Sequence, residues 1–119
     1  MIITALLTLQ NQLRIFHWQT ESYAEHKALG KAYESLDDLV DSLVEESFGK
    51  YGRERTEGGF DIKLQNYEQQ KPQELIHSAE IAVKAMRAKF EQDGATNLSN
   101  IADEILGVLD QTSYLLTLS

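Results

Sequence analysis

Five side chains in the first half of the chain have the types and spacing to hold a cation: His17, His26, Asp37, Asp41 and Glu45. At about 100° per residue on a helix, His17 falls in the middle of an apolar face that also carries Leu6 and Leu13. On the following helix His26 aligns with Tyr33 and Val44, Asp37 lies just inside that stripe, and Asp41 and Glu45 run along its edge. The i, i+4, i+8 spacing of the three carboxylates stacks them on one side of the helix. Stacked carboxylates at the border of an apolar face repel one another and lose solvation, and a bound cation relieves both costs. Imidazole and carboxylate together suit iron, zinc or manganese. The plainer reading is a solvated acidic face beside a hydrogen-bonded core histidine, and spacing alone does not choose between the two.

Other chemistry-bearing residues are weaker signals. Glu74-x-x-His77 has the form of a di-iron carboxylate motif, but it stands without a partner motif, and Glu74 is more simply an acidic residue near a helix N-terminus. Trp18 is expected to pack at a helix end or a dimer interface, and Tyr33 to be a core residue whose hydroxyl needs a partner. The chain has no cysteine, which excludes disulfides, thiolate metal sites and cysteine nucleophiles. There is no glycine-rich phosphate loop.

The elements that must position these residues are helical. Ile2, Leu6, Leu9, Leu13 and Phe16 recur at three- and four-residue steps, predicting a helix over about 2–20. Leu29, Tyr33, Leu36, Val40, Leu43 and Val44 predict a second over about 25–50, with Gly49 and Gly52 as stop signals. Pro72 suits a first turn and opens a third helix over 72–93, closed by Asp93-Gly94. Thr96 or Asn97 is the expected cap of a fourth over 96–118. Short links near Ser22 and Gly94 make each pair an antiparallel hairpin. The polar, glycine-containing stretch 51–71 is too long for a plain connection. A helix of about 24 residues is roughly 36 Å long at ~1.5 Å per residue, and this segment reaches about 70 Å at ~3.3 Å per residue. It can therefore return along the whole bundle, with Phe60, Ile62, Leu64 and Tyr67 expected to pack as a strand-like or helical piece. The expected fold is all-α: one domain over 1–119, a four-helix bundle of ferritin-like plan, two hairpins joined by a long crossover.

Composition bounds the function. A length of 119 residues fits one domain, and its 42% apolar content builds one core. A core this small gains from self-association. With 11 Lys and Arg against 19 Asp and Glu, the net charge is -8. That argues against a nucleic-acid partner, which needs clustered cations, and Lys50, Arg53 and Arg55 read as a solvated loop. The apolar start, Met1 to Leu7, lacks a preceding basic region and is too short to span a bilayer, polar residues returning by Gln10. No membrane association is expected, and the setting is cytoplasmic, or the host cytoplasm if the chain is virus-encoded.

The run Leu13-Arg14-Ile15-Phe16-His17-Trp18, then His26, Leu29, Tyr33, Leu36, Asp41 and Glu45, resembles the signature of Dps-type ferritins. The resemblance covers roughly residues 6–48. It implies iron, or another divalent metal, bound between two subunits by residues matching His17, His26, Asp41 and Glu45, with Asp37 and Glu34 as secondary candidates. It also implies oxidation of ferrous iron by peroxide or oxygen, and a homo-oligomer built from dimers. Gly30 departs from the pattern, because it stands where that family places a further Asp ligand. The His-to-His interval is also shorter than the family's. The alternative is a non-catalytic, oligomeric helical-bundle module binding a protein or a small ligand, which Gly30 and the small size favour.

Overall fold

A computed structural model describes residues 2–118, so positions 1 and 119 of the expected domain lie outside the described residues. It contains α1 (Ile2–Gln19), α2 (Tyr23–Tyr51), α3 (Pro72–Gln92) and α4 (Thr96–Leu115), with no strand among the described residues. The all-α four-helix expectation holds. α1 packs on α2 and α3, and α4 packs on the same two helices, giving the cyclic order α1, α2, α4, α3. The 29 residues of α2 measure about 43 Å at ~1.5 Å per residue, which sets the 42 Å long axis of the molecule.

The core brings the expected apolar stripes of α1 and α2 together with apolar faces of α3 and α4. Leu6, Leu9, Leu13 and Phe16 of α1 meet Leu29, Leu36, Val40 and Leu43 of α2, with Ile76, Val83 and Phe90 of α3 and Leu98, Ile105 and Leu109 of α4 completing the cluster. Full burial of each such side chain contributes about 1.5–3 kcal/mol.

The crossover runs end to end along α1. At its start the Glu54 carboxylate accepts from the Ile2 backbone N–H, at the beginning of α1. At its end, Gln65 to Tyr67 meet Gln12 and Gln19. Gln12, only 1% exposed, treats the crossover as a strand neighbour: its Nε2 donates to the Gln65 carbonyl at 2.8 Å and its Oε1 accepts the Gln65 N–H at 2.6 Å. Seven residues later Gln19 repeats the device on the Tyr67 N–H at 2.7 Å. These amides satisfy backbone groups that have no ladder of their own. Residues 52–71 thus form neither the strand-like nor the helical piece expected, although Ile62, Leu64 and Tyr67 are half-buried, Tyr67 packs against the core, and Phe60 is exposed. Because the segment returns the full length, α3 starts where α1 finishes and all neighbouring helices are antiparallel.

The second hairpin corrects the cap expected at Thr96 or Asn97. Gly94 adopts φ +68°, and Ala95 N–H reaches back to the Phe90 carbonyl at 2.8 Å while Gly94 N–H reaches Glu91. This closes α3 with a left-handed glycine and an apolar contact. Buried Ala95 is then already in place as the residue before α4, without a side-chain cap. Asn97 donates instead to Glu46 on α2.

Candidate functional site

The α1–α2 turn is built from side chains that complete the loose backbone ends of two helices. Ser22 caps α2, its Oγ accepting the Glu25 N–H at 3.2 Å, and the helix starts at Tyr23, two residues before the expected start at about 25. The Glu25 carboxylate accepts from the Thr20 hydroxyl at 2.7 Å and from the Tyr67 hydroxyl at 2.6 Å, so the crossover is tied to the same turn. The Tyr67 phenol is raised above its ordinary pKa, chiefly by that bond to a carboxylate.

His17 and His26 face each other across this turn. Their rings stack with centroids 3.7 Å apart and planes 15° from parallel. His26 Nδ1 lies 2.8 Å from the His17 carbonyl, and His17 Nδ1 lies 2.6 Å from the His26 carbonyl. The His17 carbonyl belongs to the last turn of α1, where carbonyls have no intrahelical partner, so His26 serves as its donor. Both carbonyls are acceptors only, so each Nδ1 carries the proton and the neutral rings keep bare Nε2 atoms. Tyr33 closes the group, edge-on to His17 at 5.4 Å and beneath the Arg14 guanidinium at 4.6 Å.

Gly30 is the floor of the pair. A Cβ at this position would lie 2.8 Å from His17 Cε1 and 3.1 Å from Nδ1. The glycine that breaks the resemblance is therefore a packing requirement: the ring occupies the volume that a side chain at position 30 would need.

Beside the histidines a cleft of about 530 Å³ opens between the start of α2 and the end of α4. His17 and His26 line it, with Lys27, Lys31 and Glu34 of α2 and Leu115 and Leu118 from the far end of the chain. Neither Nε2 has a hydrogen-bond partner among the described residues, and neither is sealed from solvent. The volume lies in the range of small-molecule sites, and so does the mixture of an apolar wall with a few convergent polar groups. Lys27, Lys31, Leu115 and Leu118 were not singled out from sequence. Two lysines one turn apart at the head of an otherwise acidic helix were the available signal; the contribution of α4 had none.

The other predicted ligands stand apart. Asp41 and Glu45 are exposed farther along α2, and 15 residues separate His26 from Asp41, about 22 Å at ~1.5 Å per residue. Asp37 accepts from Gln10 at 2.9 Å and pairs with Arg14 at 3.6 Å, while Glu34 lines the cleft. Glu74 and His77 are both exposed on α3. Trp18, expected to pack at a helix end or a dimer interface, is 69% exposed in the single chain. Among the described residues no three His, Asp or Glu side chains come together as a metal-holding group. The histidine pair does not close on one ion as it stands. Nitrogen lone pairs lie in the ring planes, near-parallel planes send them along lines that do not converge, and a metal must sit about 2.0–2.1 Å from each nitrogen.

Compared with known proteins, this small helical bundle falls in a class defined by sequence rather than by activity. A family model described as a family of unknown function (DUF5856) matches residues 17–116, and the chain belongs to that family. It is also similar to an uncharacterized 14.6 kDa protein from the mobD-ri intergenic region of Enterobacteria phage T4, with 30% identity over 114 residues that cover 95% of this chain and 83% of the relative. No solved structure matches the chain. The family match corrects the Dps-type resemblance, since it takes in most of the stretch, roughly residues 6–48, on which that resemblance rested. The structure supplies the physical reason. The two histidines of the resemblance bond backbone carbonyls across a helical hairpin, and Gly30 seats a ring. Among the described residues no helix is long and apolar enough to cross a membrane.

Proposed function

We propose that this protein is a non-catalytic helical binding module that holds a small ligand in the cleft beside His17 and His26. One observation carries the reading. At this end of the bundle His17 and His26, whose Nε2 atoms have no hydrogen-bond partner among the described residues, line a cleft of about 530 Å³ with Leu115, Leu118 and two lysines that have no ion pair, Lys27 lying 5.9 Å from the Tyr23 ring. The surrounding turn is cross-bonded by Ser22, Thr20, Glu25, Tyr67 and both histidines, so the site is preorganised and little ordering cost falls on binding. The backbone-bonded histidines position the site and do no chemistry.

The test is a fragment screen on the isotope-labelled chain followed by backbone NMR. Shifts clustered on residues 24–34 and 115–118 support the reading. Hits that map elsewhere, or no saturable hit at all, overturn it.

Self-association belongs to the same proposal, because a core this small gains from it, and Trp18, Tyr114 and Ile81 leave 69%, 62% and 59% of their surface exposed in the single chain. Sedimentation velocity decides that part: a concentration-dependent dimer or larger assembly supports it, and a monomer at every concentration overturns it.

A further inference from the structure

We infer that the ligand is a small amphipathic anion, its carboxylate or phosphate end held by Lys27 and Lys31 and its apolar end laid against Leu115 and Leu118. This inference rests on the cleft being a ligand site.

The two lysines are four residues apart on α2, so their ammonium groups project from the same side of the helix and repel. Three of the eleven basic side chains are ion-paired: Arg14 with Asp37, Arg87 with Glu91 and Asp103, and Lys89 with Asp93. Lys27 and Lys31 pair with no carboxylate among the described residues, although the chain carries 19 acidic residues against 11 basic ones. What sets these two apart from the other unpaired basic residues is position: both line the cleft, one turn apart, and Glu34 is the single carboxylate among its lining residues. An anion between them removes the repulsion and forms charge-assisted hydrogen bonds.

The remaining lining fixes the orientation. Glu34, one turn beyond Lys31, repels a negative charge placed farther along α2 and confines the anion to the lysine end. Leu115 and Leu118 offer no hydrogen bond and suit a short hydrocarbon. Leu118 is 48% exposed, and covering it with an apolar chain contributes about 25 cal/mol per Å² buried. The bare Nε2 atoms accept hydrogen bonds, so a hydroxyl or amide N–H between the two ends of the ligand has a partner.

Isothermal titration of the full chain with octanoate, octyl phosphate, octanol, octylammonium and inorganic phosphate separates the parts. Octanoate and octyl phosphate are expected to bind saturably. Octanol and octylammonium are expected to be weaker by about tenfold or more, equivalent to about 1.4 kcal/mol, and inorganic phosphate weaker still. Both lysines are exposed, so the double variant Lys27→Glu with Lys31→Glu should keep its helical circular dichroism while losing octanoate and gaining octylammonium. Octanol binding as tightly as octanoate would overturn the anion assignment and leave the binding module standing. Inorganic phosphate binding as tightly as octyl phosphate would overturn the apolar half. Binding by none of the probes, with the fragment screen also empty, would remove the site itself.

Discussion

At the scale of single residues, Gly30 and His17 form one unit. Replacing Gly30 by Ala pushes a methyl group into the His17 ring, so Gly30→Ala is expected to cost about 1–3 kcal/mol as overpacking, although alanine is the better helix former. Adding His17→Ala removes the ring that is struck, so in denaturant unfolding the double variant should be less destabilised than the sum of the two single changes. Strict additivity would mean that the ring and the glycine are not in contact. Much of this was out of reach of the sequence. The helical period put His17 on the apolar face correctly, but a contact between residues 17 and 30 passes across a turn whose geometry no periodicity encodes. The same letters that suggested metal ligands also satisfy carbonyls.

Tyr51 and Asp93 make the second residue-scale case. The Tyr51 hydroxyl donates to Asp93 Oδ2 at 2.6 Å, which raises the phenol to about 12 and lowers the carboxyl. The raised phenol contributes stability that is present below its unfolded value of about 10 and is lost as pH rises through about 12. The lowered carboxyl contributes above its unfolded value of about 3.9 and loses that as pH falls through its depressed folded value. Asp93→Asn should return Tyr51 toward about 10 in a tyrosinate absorbance titration. An unchanged titration would show that the bond is not made in solution.

At the scale of elements, the crossover is held by amides rather than by regular structure. Gln12→Ala removes both partners of Gln65 and leaves its backbone groups to find water or stay unpaired, an expected loss of about 1–3 kcal/mol. Hydrogen exchange should accelerate at Gln65 and Tyr67 while α4 stays protected; unchanged exchange there would contradict the role given to Gln12. The four helices were legible because their apolar residues recur at the helical period, and the crossover because its length exceeds any plain connection. Its internal form was not legible. Alternating Phe60, Ile62 and Leu64 resemble a strand, but the segment has no neighbouring strand with which to share a ladder, and glutamine side chains of α1 take that place. The start of α2 was misplaced for a related reason: Ser22 sets it, and it precedes the first apolar contact by two turns.

At the scale of the molecule, antiparallel packing of the two hairpins brings the end of α4 beside the start of α2. It is this arrangement, and no local motif, that assembles the cleft from residues nearly a hundred positions apart. Lys27 and Lys31 stand out only there, as unpaired cations that line this cleft one turn apart. The most direct measurement is NMR of the histidine ring nitrogens, recorded on the free chain with neutral rings and again with octanoate. The expected result is that both rings carry the proton on Nδ1 and leave Nε2 bare, and that octanoate shifts these rings together with the backbone of Lys27 and Lys31. Rings protonated on Nε2, or octanoate shifts confined to another part of the bundle, would contradict both the backbone-bonded histidine pair and the site built on it.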